Sequence, residues 1–162
     1  MDNQLKNKFV ELGIEFEIIN HEASGKTTFQ AEKALNEKKE NILKSILLKN
    51  EANQFLGVII LGNSKINFSK VKEYTKIIPY FQNNKFSFCS PEIVKQITGY
   101  EIGGVPPIVF LTKNIRTIVD LAIFNQNYVI GAGGNEYTGI KIRGDDFKKL
   151  GYAEADISSK ES

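Results

Sequence analysis

A chain of 162 residues with a formal net charge of +2 fits one domain, since a chain of this size buries well over half of its unfolded surface in one core. That charge is too small for wrapping a long nucleic acid and leaves room for contact with a few phosphates, such as an RNA end. One Cys and one His exclude a disulfide framework and a classical zinc site and fit a reducing cytoplasm. No apolar run reaches membrane-spanning length and no signal-peptide pattern opens the chain, so neither a membrane nor secretion is expected.

Leu5, Phe9 and Leu12 recur at helical spacing from Asp2 onward, and Gly13 closes that helix. Phe16–Ile19 reads as a short strand leading to His21. Thr27 or Thr28 caps a helix to about Leu35, and Asn36–Asn41 is charged and solvated. Ile42–Lys49 and Phe55–Leu61, joined by the polar turn Asn50–Asn53, read as a hairpin. Ser69 caps a short helix to Tyr74, and Phe86–Cys89 is a strand. Ser90-Pro91 opens the next helix, with Ser as N-cap, and Gly99 ends it. Val109–Leu111, Arg116–Asp120, Tyr128–Ile130 and Thr138–Arg143 read as strands, Gly131-Ala132-Gly133-Gly134 as a tight hairpin turn, and Asp145–Leu150 as a short helix. Residues 1–152 are expected to form a single domain and residues 153–162 a polar tail, loose from Ser158. Strands and helices mix without a βαβ rhythm, and the hairpin points to a largely antiparallel α+β fold.

Three features could carry chemistry. Lys44 shares a strand face with Ile42, Ile46 and Leu48. A lysine on such a face needs an anionic partner or a lowered pKa, unless it only guards an edge strand against aggregation. The run Thr98-Gly99-Tyr100-Glu101-Ile102-Gly103-Gly104-Val105-Pro106-Pro107 sets a glycine pair one residue before a proline pair. Glycine opens backbone conformations closed to other residues and proline fixes φ, so the loop is a plain turn or a stiff cradle whose N–H groups hold a phosphate or an oxyanion. Gly131–Gly134 could do the same, although its spacing does not match a dinucleotide fingerprint.

The remaining polar and aromatic candidates read as structural. His21 is a poor metal ligand without a second His and serves as a general base, a polar contact or a surface residue. Cys89 reads as a buried thiol, Asp145-Asp146 as a helix-start pair, and Tyr80-Phe81 and Phe86–Phe88 as core.

His21 followed by Thr27, the segment Ile-Leu-Lys-Ser-Ile-Leu-Leu-Lys over Ile42–Lys49, Ser90-Pro91-Glu92, the TGYEIGGVPP run, Asp120 and Gly131-Ala132-Gly133 together resemble the YbaK family of aminoacyl-tRNA deacylases. The same domain resembles the editing insertion of bacterial prolyl-tRNA synthetases. The match runs from about Leu5 to Leu150. It implies an α+β domain with a mainly antiparallel, partly barrel-like mixed sheet and helices packed around it. It implies hydrolysis of the ester between a wrong amino acid and the 3′ end of a tRNA, with no metal and no cofactor. Lys44, Gly103 and Gly104 match the catalytic elements. His21, Thr27, Ser45, Ile102, Val105, Pro106, Gly131 and Gly133 fall at substrate-binding positions. The implied partners are the tRNA acceptor end and an aminoacyl-tRNA synthetase.

Two departures stand out. Relatives commonly carry Gly after the prolines where this chain has Ile108-Val109-Phe110, bulk that is expected to narrow or reshape the pocket. The Gly131 loop is lengthened by Asn135-Glu136-Tyr137. The competing readings are a non-catalytic module for tRNA ends or a synthetase partner, and a binder of a small nucleotide or other anion at the same Lys44 and glycine loop.

Overall fold

Phe55–Leu61 contains no polar side chain, the pattern of a strand covered on both faces. In the computed structural model, which describes residues 1–161, it is the centre of a five-stranded sheet. The strands are β1 (Glu17–Asn20), β2 (Leu43–Asn50), β3 (Phe55–Leu61), β4 (Ser64–Ile66), β5 (Phe86–Phe88), β6 (Thr117–Asp120), β7 (Tyr128–Ala132), β8 (Thr138–Arg143), β9 (Ala153–Ala155) and β10 (Ser158–Lys160). The helices are α1 (Asn3–Glu11), α2 (Thr28–Leu35), α3 (Phe68–Thr75), α4 (Pro91–Thr98) and α5 (Val109–Thr112).

The large sheet has the order β5-β2-β3-β6-β9, the second β1-β8-β7, and the third pairs β10 with β4. Most ladders are antiparallel, but β3–β6 and β6–β9 are parallel. The fold is α+β with a mixed main sheet, and its sheets do not close into a barrel. Alternation along β2 and β3 sends Leu43, Leu47, Ile59 and Leu61 into one core with Phe9, Val105, Phe110 and Phe147. Leu48, Leu56, Val58 and Ile60 enter a second core with Val71, Phe86 and Ile157 on the opposite face. Among the described residues no helix is long and apolar enough to cross a membrane.

Local sequence explains most boundaries. Thr27 caps α2 through a reciprocal capping box with Gln30. Ser90 accepts from the Ile93 N–H at the start of α4, and Gly99 ends it at φ 85°. The cap of α3 is Asn67, which accepts from Lys70, rather than Ser69.

Three further expectations are overturned. Tyr80 and Phe88, expected in the core, are 46% and 60% exposed. The segment expected as a strand at Val109–Leu111 is the short helix α5. Ile108, Val109 and Phe110 are essentially fully buried, and the Phe110 ring lies where a Cβ at Gly57 would stand, 2.8 Å away. The run is core under β3, and a helical turn drops consecutive apolar side chains into it. The polar tail expected over 153–162, of which residue 162 lies outside the described residues, instead supplies β9 and β10. Its anchor is Ile157, 0% exposed. The buried Asp120 carboxylate accepts from the Ile157 N–H at 3.0 Å and from Ser158 Oγ at 2.8 Å.

Candidate functional site

The ladder of β5 covers only Leu48–Asn50 of β2. Apart from a bridge between Ile42 and Ile130, the first half of β2 has no strand on that side. A cavity of about 260 Å³ lies there, walled by Leu43–Ile46 of β2, the start of α2, β7 and the loop at Ile102–Val105. It is at or below the small end of ligand pockets, which run to roughly 300–1,000 Å³. That size suits the end of a ligand rather than a run of nucleotides.

The cavity gathers residues from separate stretches of the chain. Of the expected site residues, Lys44, Gly103, His21, Thr27, Ser45, Ile102, Val105 and Gly131 line it. Gly104, Pro106 and Gly133 do not. They stand behind the wall, where Gly104 and Pro106 are buried. Val109 and Phe110, expected to reshape the pocket, lie in the core instead.

The glycine pair proves to be demanded by packing. Gly103 has φ 88°, and a Cβ there would meet the Lys26 backbone oxygen at 2.6 Å. A Cβ at Gly104 would meet Asn135 Cα at 2.9 Å, and one at Gly131 would meet Pro107 Cγ at 2.6 Å. The two glycine-rich loops therefore interlock. The Gly104 N–H is spent on the Glu101 carbonyl at 2.9 Å, so it is not free to hold a ligand. No hydrogen bond engages the Gly103 or Val105 N–H among the described residues. Tyr152 braces the following prolines: its hydroxyl donates to the Pro107 carbonyl and accepts from the Leu111 N–H, both at 2.8 Å. Burial pushes that hydroxyl well above the usual tyrosine range.

Lys44 does lie on the face it was expected to share with Ile46 and Leu48. Its ammonium donates to the Ser64 carbonyl at 2.6 Å and to Glu161 Oε1 at 2.6 Å. The required anionic partner is thus internal and comes from a residue 117 positions away. The Lys44 hydrogen bond holds the Glu161 carboxyl below the usual carboxylate range, helped by the charges of Lys44, Lys39 and Lys65 and opposed by slight desolvation.

The other candidates have definite local roles. His21 Nδ1 lies 2.6 Å from the Ala23 carbonyl. A carbonyl only accepts, so Nδ1 carries a proton and in the neutral ring Nε2 is left as an acceptor. The Thr27 hydroxyl is engaged in its cap. Cys89 is a buried free thiol whose pKa is raised by burial. Among the described residues no cluster of three or more His, Cys, Asp or Glu side chains could hold a metal ion.

Sequence reasoning missed four polar contributors. Lys26, Asn135, Glu136 and Thr138 line the cavity, and Ser24 Oγ donates to Glu136 Oε2 at 2.7 Å. The added residues of the Gly131 loop were the available signal, since two of the four come from them. Glu161 had no local signal.

The fold agrees with comparisons to known proteins. The model of the aminoacyl-tRNA editing domain matches residues 22–150, and the chain belongs to that family. It is 31% identical over 121 residues to the proline–tRNA ligase of Brachyspira hyodysenteriae, a match covering 75% of this chain and 20% of the ligase. The chain thus spans about a fifth of that relative. An uncharacterized protein of Bacillus subtilis is 23% identical over 150 residues, covering 93% of this chain and 90% of that protein. Among solved structures, a hypothetical protein superposes with a TM-score of 0.84 at 23% identity, covering 96% of this chain and 99% of that one. A proposed trans-editing enzyme for prolyl tRNA synthetase superposes with a TM-score of 0.76 at 21% identity, covering 99% of this chain and 96% of that one. These structural likenesses carry the fold alone.

Proposed function

We propose that this editing domain is a free-standing deacylase that hydrolyses the ester joining a mismatched amino acid to the 3′ end of a tRNA. The observation that supports it is the cavity that joins Lys44, Gly103, Val105 and Gly131 in a chain of the editing family. An aminoacyl ester is already activated, so hydrolysis needs positioning and oxyanion stabilisation more than a nucleophile. The unengaged N–H groups of Gly103 and Val105 are the donors for the oxyanion, each worth on the order of 3 kcal/mol. Gly104, first expected in this role, serves by shaping the turn. The Lys44 ammonium takes a phosphate of the terminal nucleotide, and a neighbouring ribose hydroxyl positions the water. Cavity size selects the amino acid. One methylene is worth only about 1–3 kcal/mol in an apolar pocket, which is why a separate editing step is useful.

The test is a deacylation panel with alanyl, cysteinyl and seryl esters on tRNA for proline and on other tRNAs. At least one is turned over, and Lys44→Ala, which removes the ammonium from an open strand edge, lowers that rate by more than about 100-fold, comparable to the loss of an electrostatic group elsewhere. Unchanged turnover in Lys44→Ala removes the lysine from the mechanism. Binding without hydrolysis across the panel favours a non-catalytic module for tRNA ends. Two observations support that second reading: the Lys44 ammonium is already paired and the Gly104 N–H already spent.

A further inference from the structure

A carboxylate surrounded by lysines is the arrangement of an occupied anion site. Glu161 Oε1 receives the Lys44 ammonium at 2.6 Å. Lys65 faces Ser159 in the β4–β10 ladder. Lys39 abuts the turn between β3 and β4, where its carbonyl would stand 2.6 Å from a Cβ at Gly62. Both add their charge to that of Lys44 at the Glu161 carboxylate.

The attachment of this carboxylate grades from firm to weak along the chain. Ile157 is fully buried, and its N–H is held by Asp120. Lys70 adds bonds to Asp156 and to the Ser158 carbonyl. Beyond that point β10 is a three-residue strand in a two-stranded sheet, an arrangement marginal by itself. Glu161 is held by its N–H to the Asn63 carbonyl at 3.0 Å and by the Lys44 pair. The side-chain oxygen of Asn63 in the same turn is buried and has no hydrogen-bond partner among the described residues. The end that carries Glu161 is also its exposed end: the Glu161 side chain is 43% exposed and that of Lys44 is 22% exposed. An ion pair this open to water is weak and exchangeable.

We propose that Glu161 is a built-in competitor at a latent phosphate site formed by Lys44 with Lys39 and Lys65, and that the last strand acts as a strap whose tip must leave Lys44 before the phosphate of an RNA end binds there. This rests on the reading of Lys44 as the residue that takes the terminal phosphate. The Ser64 carbonyl keeps the ammonium in place in both states, so only the carboxylate exchanges. Apparent affinity falls by the fraction of molecules in which Lys44 is free. A strap closed nine times in ten therefore weakens binding about tenfold.

The experiment measures binding of two probes, 5′-AMP and an RNA minihelix ending in CCA, to the full chain by titration. Glu161→Gln keeps the shape and removes the charge, and Glu161→Asp keeps the charge but draws it back by one methylene. Both changes are at an exposed residue, and thermal unfolding checks that each variant folds. The expected result is a Kd roughly three- to tenfold lower in Glu161→Gln, an intermediate Kd in Glu161→Asp, and loss of the gain in Glu161→Gln combined with Lys44→Ala. An unchanged Kd in both single variants overturns the strap. A higher Kd also overturns it and makes Glu161 a positioning residue for the lysine. The underlying reading has its own arm: if Lys44→Ala alone binds both probes as tightly as the unaltered chain, Lys44 is not a phosphate site and that reading fails. If Lys44→Ala loses binding while Glu161→Gln gains none, the strap alone fails.

Discussion

At the scale of single residues, the glycines separate two demands that look alike in a sequence. Gly13 and Gly103 both have positive φ, at 70° and 88°. Nothing lies within 4 Å of a Cβ at Gly13, whereas a Cβ at Gly103 would meet the Lys26 oxygen and side chain at 2.6 and 2.7 Å. Gly13→Ala therefore bears only the left-handed conformational cost, roughly 1 kcal/mol. Gly103→Ala bears that cost and must also push Lys26 away, for a total of about 2–4 kcal/mol. Thermal unfolding of the two variants checks this, with Tm expected to drop roughly 2–4 °C in the first and at least twice as far in the second. Equal losses would show that the loop does not pack on Lys26 as described. The same reasoning applies to both glycines of the GGVPP run: the chain packs against them at Lys26 and Asn135, and Gly103 and Val105 face the cavity.

At the scale of elements, the sequence was most legible where a single segment carries its own reason. The β2–β3 hairpin, the Ser90-Pro91 start and Gly99 stop of α4, and the capping box at Thr27 follow from local chemistry. Lys44 was legible too, as a charge among aliphatics on one strand face. What stayed hidden depends on distant partners. The run at Val109–Phe110 has the β-branched and aromatic content of a strand, but the core beneath Gly57 takes it as a helix. The segment beyond Gly151 is polar, yet the buried Asp120 carboxylate, Ile157 and the edges of β6 and β4 make two strands of it. No local pattern announces strands whose partners lie 35 residues away, as for β9 (Ala153 with Ile118), or 92, as for β10 (Ser158 with Ile66). That dependence gives a prediction. Asp120→Ala leaves the buried Ile157 N–H unpaired, at about 1–3 kcal/mol. The loss is local: amide exchange should quicken across Ile157–Lys160 while β2 and β3 stay protected. A uniform rise in exchange across β2 and β3 would show instead that Asp120 supports the whole fold.

At the scale of the molecule, charge limits how the chain can meet RNA. The net charge is +2, and the cations near the cavity are few: Lys26 and Lys44 in its wall, with Lys39 and Lys65 beside Glu161. One of these positive charges, that of Lys44, is paired with Glu161. On the proposed function, a site of this kind would hold the end of an RNA and about two to four phosphates, with the rest of a tRNA left to solvent or to a partner. Each phosphate contact with a single strand contributes about 0.7 to the slope of log affinity against log salt, so the slope for a CCA-ended minihelix should lie between about −1.4 and −2.8. Fluorescence anisotropy between 50 and 200 mM salt reads this directly, at about seven- to fiftyfold loss across that range. A slope steeper than about −5 would mean that a second basic surface grips the RNA body. A shallow slope together with weak binding is the expected signature of an editing domain that reads the acceptor end and relies on another protein, such as a synthetase, for the remainder of the tRNA. Glu161→Gln should steepen the slope slightly, because in the unaltered chain salt also weakens the competing Lys44–Glu161 pair and so offsets part of the loss.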